Sequence, residues 1–131
     1  VEVGVAEDRA GAHLPHPVTI EGYGGGGFRF AEMSHRGSLL CLPSGLWPWP
    51  VERATEIEVA TLARVFAEAA AIDFLILGTG RDLVPVAEPL RRRLREVGIG
   101  VEPMATGIAV PTWNLLHGEG RRVAAGLLAV D

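Results

Sequence analysis

The chain has 131 residues, 48% of them hydrophobic and 21% charged, with a formal net charge of −4. That balance excludes a disordered segment, no apolar run approaches the roughly 20 residues that cross a bilayer as a helix, and the acidic excess argues against a broad electrostatic grip on nucleic acid. The lone cysteine, Cys41, excludes an internal disulfide, and a basic complement made wholly of arginine leaves no lysine for a Schiff base, a pyridoxal phosphate anchor or a phosphate loop.

Residues 1–16 mix acids, Gly and Ala with His13 and His16 and keep no period. They are expected to be a flexible tail, with residues 17–131 as a single domain. No charged-then-apolar leader opens the chain as given, so a cytoplasmic location is expected. His13-x-x-His16 has a proline between its histidines and no cysteine or acid at ligand spacing, so no metal site is expected. Val18–Tyr23 alternates, and Phe28-Arg29-Phe30-Ala31 follows four glycines, which predicts a β-hairpin. No helix signal follows those glycines, as a phosphate loop would require. Gly37–Pro43 is a third strand, with Cys41 as a core thiol among leucines. In Trp47-Pro48-Trp49-Pro50 the prolines stiffen the backbone. The two indoles either cap an open end of the core or form an exposed docking surface, which makes Trp47 and Trp49 candidate partner-binding residues.

Thr55-Glu56-Ile57-Glu58 has the form of a capping box and predicts a helix to about Ala71 that buries Val59, Leu62, Phe66 and Ala69. Asp73–Gly80 then reads as a strand covered on both faces and ending in a glycine-flanked turn. After the turn at Arg81–Pro85, a second helix carries Val86, Leu90, Leu94 and Val97 on its inner face and stops at Gly98. Its run Arg91-Arg92-Arg93-x-Arg95 reads as a solvated face. Ile99–Pro103 is the next strand, completing a parallel crossover expected to be right-handed. A third helix reaches His117 from Thr106, or from Pro111, because proline conflicts with a regular helix interior. Arg121–Val130 reads as an edge strand.

Candidate chemistry concentrates at one turn. Ligands of open α/β sheets collect at the carboxyl ends of strands, and Gly78 and Gly80 leave room for bare backbone donors. Thr79 supplies a hydroxyl. Thr112 and Asn114, the chain's one asparagine, supply polar atoms near a helix start, and Arg121 an anion contact. The expected pocket is therefore Gly78, Thr79, Gly80, Thr112, Asn114 and Arg121. No catalytic residue is expected: there is no Gly-x-Ser-x-Gly elbow, and Ser34 and His35, as strand neighbours, point to opposite faces.

Several segments in order carry a resemblance: Ile20-x-x-Tyr23-Gly24, the glycine-rich turn with Phe28, Gly37-Ser38-Leu39-Leu40, the strand ending Gly78-Thr79-Gly80, Met104-x-Thr106, Thr112-Trp113-Asn114-x-Leu116, and Glu119-Gly120-Arg121-Arg122-Val123-Ala124-Ala125. The set resembles the Mth938-like domain family, a domain of unknown function, over about residues 18–130. The resemblance implies an α/β, three-layer fold with a central mixed sheet, helices and an added β-hairpin layer. The family includes a mitochondrial member that helps assemble respiratory complex I without a known catalytic activity. This implies a non-catalytic binding or assembly-factor-type module that docks on a protein partner and uses no cofactor. Family members usually carry tyrosine where this chain has Trp113 and often arginine where it has Pro111, so phenolic chemistry and an arginine-dependent anion site are in doubt at that spot. The alternative expectation is a small anionic-metabolite binding protein or enzyme, with its site at the Gly78–Gly80 turn.

Overall fold

A computed structural model describes residues 14–131. Strands β1 (Gly22–Gly24), β2 (Gly27–Phe30) and β3 (Met33–Arg36) form a three-stranded antiparallel sheet. Strands β4 (Ser38–Leu42), β5 (Gly45–Trp49), β6 (Phe74–Gly78), β7 (Gly100–Met104) and β8 (Val123–Leu127) form a mixed sheet in the order β5-β4-β8-β6-β7. The helices are α1 (Ala63–Ala67), α2 (Glu88–Glu96) and α3 (Thr106–Gly118).

Alternation along the central strands sorts the core into two halves. Leu40, Leu42, Leu75, Leu77 and Ala124 face one way, into a cluster with Leu62, Val65, Leu90 and Leu94 from the helical segments. Leu39, Cys41, Ile76, Ala125 and Leu127 face the other way, onto Val110 and Trp113 of α3 and Phe28 and Phe30 of the small sheet. The result is three layers: helical turns with α2, the mixed sheet, and α3 beside the three-stranded sheet. This is the architecture the family resemblance implied. Burial also pushes the Cys41 thiol pKa up, keeping it protonated and inert.

The hairpin between β1 and β2 turns on Gly25 and Gly26, both at positive φ (60° and 83°), as a two-residue primed turn requires. The crossover from β6 through α2 to β7 is parallel, as expected. Pro89 sits in the first turn of α2 and Gly98, at φ 82°, follows its end.

Five expectations are corrected. The last strand, β8, is central and not an edge: it runs parallel to β6 and antiparallel to β4. Its small residues admit bulky neighbours, since a Cβ on Gly126 would come within 2.9 Å of the Trp49 ring. The true edges, β5 and β7, each contain a proline, Pro48 and Pro103, which an edge tolerates and which blunts pairing with other chains. The long helix expected from Thr55 is instead a 3₁₀ turn (Ala54–Glu56), a second one (Ala60–Leu62) that runs into the short helix α1, and a third (Ala69–Ala71). There the Thr61 hydroxyl lies 2.8 Å from the Glu56 carbonyl and accepts the Glu58 N–H at 2.9 Å, a local alternative to the helix ladder. The capping carboxylate is Glu56, which accepts the N–H groups of Glu52 (2.7 Å) and Arg53 (3.1 Å). Those bonds hold its pKa below the ordinary value.

Helix α3 begins at Thr106 and continues through Pro111, which lies on its exposed side. The ring therefore does not enter the core. Val97, expected on the inner face of α2, is its exposed C-terminal flank. Finally, Leu14, assigned to the tail, is already docked: it bridges Leu46 on the outer edge of β5. A Cβ on Gly45 would stand 1.8 Å from the Leu14 carbonyl oxygen. His13 lies outside the described residues, and with it the His13-x-x-His16 reading.

Candidate functional site

The turn after β6 sits at the carboxyl end of a buried strand, as the sequence predicts, but its polar atoms are already occupied. The Thr79 N–H donates to the Met104 carbonyl at 2.8 Å, and the Gly80 N–H donates to the Thr106 hydroxyl at 3.0 Å. Thr106 is fully buried; its hydroxyl donates to the Leu128 carbonyl at 2.8 Å and its N–H to the Gly80 carbonyl at 2.8 Å. Thr106 thus ties together the ends of β6 and β8 and the start of α3. Thr79 is 7% exposed; its hydroxyl donates to the Asp82 carbonyl at 2.7 Å and accepts the Val84 N–H at 2.9 Å, which shapes the 79–84 turn. Gly78 is small because the helix is close: a Cβ there would stand 3.1 Å from both Ala109 Cβ and Thr106 Oγ1. The expected bare donors are absent, because the start of α3 and the end of β7 have taken them.

The other expected pocket residues do not converge on this turn. Asn114 lies eight residues beyond Thr106, about 12 Å along the helix. Its amide accepts the Ile20 N–H at 2.7 Å and donates to the Ile20 carbonyl at 2.9 Å, pairing with the backbone as a neighbouring strand would. Trp113 adds a bond from its indole N–H to the Val18 carbonyl at 3.0 Å, so adjacent residues of α3 clamp the segment leading into β1. The Thr112 hydroxyl turns back to the Ile108 carbonyl of its own helix at 2.8 Å. Arg121 precedes β8, whose start pairs with the start of β6, so it lies at the opposite end of the sheet from Gly80. There it faces Glu119 at 3.7 Å, with both side chains exposed. The anion pocket is therefore not assembled.

The two tryptophans separate. Trp49 is 3% exposed, and its indole N–H donates to the Thr61 carbonyl at 2.7 Å; it is a core residue, which corrects its assignment as a docking residue. Trp47 is partly exposed. The Arg64 guanidinium lies 3.5 Å over its ring, and its N–H donates to the Ser44 hydroxyl at 2.8 Å.

A concavity of about 730 Å³ lies between the small sheet and the end of β8 and is lined by His35, Ser38, Trp49, Glu52 and Val130 among others. Its buried polar groups hold the sheets together: His35 Nε2 donates to the Ser38 carbonyl at 2.9 Å, and the Ser38 hydroxyl accepts the Ala129 N–H at 3.0 Å. Among the described residues no cluster of three or more His, Cys, Asp or Glu could hold a metal.

A different surface stands out. Ile108 and Leu115 on α3 are each 60% exposed, and Pro111 is exposed between them. Positions 108, 111 and 115 share one helix face, and α3 carries no Asp, Glu, Lys or Arg. A helix that is apolar all round is normally buried all round. Tyr23, 47% exposed, reaches from β1 over the first turn of the same helix, its hydroxyl 2.8 Å from where a Gly107 Cβ would be. The missing charge is readable in the sequence; which side of the helix stays in water is not.

Comparison with known proteins gives consistent matches. The family model described as "Protein of unknown function (DUF498/DUF598)" matches residues 20–128. An uncharacterized protein of Rhodobacter capsulatus is 39% identical over 111 residues, 85% of this chain and 84% of that protein. The NADH dehydrogenase [ubiquinone] 1 alpha subcomplex assembly factor 3 of Danio rerio is 30% identical over 111 residues, 85% of this chain but 64% of that longer protein. Among solved structures, a crystal structure described as an outer membrane protein from Bartonella henselae has 44% identity and a TM-score of 0.87, covering 91% of this chain and 100% of that one. A Mth938-like domain from Bordetella pertussis has 28% identity and a TM-score of 0.73, covering 84% of each chain. No helix among the described residues is long and apolar enough to cross a membrane.

Proposed function

Because the chain belongs to the DUF498/DUF598 family, whose structures include Mth938-like domains, we propose that it is a non-catalytic docking module of the assembly-factor kind, which holds a protein partner against the outward face of α3. The observation that carries this reading is the uncharged stripe Ile108–Pro111–Leu115, left in water by a helix whose other faces are packed. The likeness to an NADH dehydrogenase assembly factor supports the class of role. A charged occupant would lose its hydration against this stripe with no counter-charge to offset the loss, so the matching partner surface is apolar. Trp47, under Arg64 on the far side of the mixed sheet, is a second candidate contact.

The test is crosslinked affinity capture of the tagged full chain from its own cells, run beside Ile108→Ser/Leu115→Ser. The wild type retains one protein in stoichiometric amount, and the variant loses it at an unchanged melting temperature. Retention of the same protein by the variant, or capture of none by the wild type, overturns the proposal. Self-association of the wild type, abolished in the variant, would assign the face to a second copy instead. A cytoplasmic location belongs to the same proposal. Fractionation of the tagged protein tests it, and the likeness to a protein described as an outer membrane protein makes the envelope fraction the informative one.

A further inference from the structure

The outward face of the three-stranded sheet carries two arginines that form no ion pair among the described residues. Along β2 and β3 burial alternates strictly: Phe28, Phe30 and His35 are buried, while Arg29, Ser34 and Arg36 are exposed. The register pairs Arg29 with Ser34 and Gly27 with Arg36, so the two arginines are diagonal neighbours with the serine hydroxyl beside them. The remaining positions of this face, Gly22, Gly24 and Gly27, have no side chains to screen them. A shallow depression of about 380 Å³ runs across the face.

Several other arginines of the chain are engaged. Arg122 bonds Asp73 at 3.2 Å and the Ala70 carbonyl at 2.6 Å, Arg121 faces Glu119, and Arg91 caps the Val101 carbonyl at 3.1 Å. Among the described residues, no carboxylate lies within ion-pair reach of Arg29 or Arg36. Glu21, exposed ahead of β1, donates its N–H to the Arg29 carbonyl at 2.7 Å, but its carboxylate forms no ion pair with either arginine. In a chain of net charge −4, two adjacent unopposed guanidiniums form a local inversion of sign.

We propose that this face docks an acidic, extended segment of the protein partner, its carboxylates taken by Arg29 and Arg36 and its backbone lying over the glycines. A guanidinium fork matches a carboxylate in two parallel hydrogen bonds. The glycine floor lets an extended chain approach without a side-chain barrier. Nothing encloses the depression, which suits a segment anchored elsewhere better than a free small anion. The apolar stripe of α3 meets the same small sheet from its other face, where Tyr23, paired with Phe28, reaches Gly107. The inference rests on the docking reading above and names the chemistry of the partner's second contact.

The experiment titrates the full chain with a glycine-spaced glutamate decapeptide and follows backbone amide shifts by NMR, with the glutamine version of the peptide as control. Shifts are expected at Gly22, Gly24, Gly27, Arg29, Ser34 and Arg36, weakening as salt rises. Arg29→Gln/Arg36→Gln lowers the affinity by about tenfold, the loss expected for a charge-assisted bond. Should the double variant fold poorly, each single variant is used, with an intact spectrum as the criterion. Equal binding of the glutamine peptide overturns the proposal, as do shifts centred on Arg91–Arg95 or an affinity unchanged by the substitutions. Inorganic phosphate that displaces the peptide and alone gives the same shifts would mean a small-anion site and also overturns it. If Arg29→Gln/Arg36→Gln still captures the cellular partner while Ile108→Ser/Leu115→Ser does not, this inference fails and the docking reading stands.

Discussion

The turn after β6 and the hairpin of β1 and β2 are both rich in glycine, yet the structure uses glycine in opposite ways. At Gly78 the chain is crowded, because α3 presses against it; Gly80, at φ 106° with open space where a Cβ would be, has its N–H taken by the Thr106 hydroxyl. At Gly22, Gly24 and Gly25 an added Cβ would meet nothing within 4 Å. Gly78 is glycine because something is close. Gly24, Gly25 and Gly26 are glycine because the turn needs positive φ, with open space around the first two. A glycine pattern signals that the backbone is special at that point; the element on the other side determines whether it is sealed or open.

The contrast is sharpened most by the tryptophans, one on each side of the divide between sealed and open. Trp49→Ala empties a core position against Gly126 and is expected to cost about 3–5 kcal/mol, read as a large fall in the urea midpoint. Trp47→Ala removes a ring stacked under Arg64 at the surface and costs about 1 kcal/mol or less. Equal effects would erase the distinction. Next come the glycines themselves. Gly78→Ala forces a methyl into a 3.1 Å gap against Ala109 and Thr106 and is expected to destabilise by about 1–3 kcal/mol. Gly22→Ala, in open space, stays within about 0.5 kcal/mol. A tolerated Gly78→Ala in thermal melts would show that the turn has slack the packing does not suggest.

One modest effect has the opposite sign. The turn between β2 and β3 places Ala31 (φ 48°) and Glu32 (φ 62°) in the left-handed region without glycine, at about 1–2 kcal/mol per residue. Glu32→Gly should therefore raise stability by up to about 1 kcal/mol, after the glycine's greater entropy in the unfolded chain is deducted. An unchanged or lower melting temperature would count against strain at this turn.

Much of this molecule was legible residue by residue. The unbroken apolar run Phe74–Leu77 required cover on both faces, and it has it. The four glycines Gly24–Gly27 between two alternating runs predicted a hairpin, and Pro85 and Pro89 with Gly98 bracketed α2. Failures came where a local signal met a distant partner. Thr55 and Glu58 formed a plausible cap, but Glu56 and Thr61 made better local bonds. The alternation in 121–130 suggested an edge, because sequence does not record that β4 and β6 both need β8 between them. The site suffered most: each of Thr79, Thr112 and Asn114 carried the right chemistry, and each was already engaged.

By itself the sequence determined the inventory: buried strands, a glycine-rich hairpin, a crossover helix, and a family likeness with its three layers. Those follow from periodicity, backbone permissions and composition, which act over a few residues. Only the tertiary structure decided which polar atoms were occupied and which surfaces were left open. The partners of Thr79, Gly80 and Asn114 lie 25, 26 and 94 residues away in the chain. A hydrogen bond is made by proximity in space, and nothing local encodes that. The same packing left the apolar side of α3 and the paired arginines of the small sheet facing water.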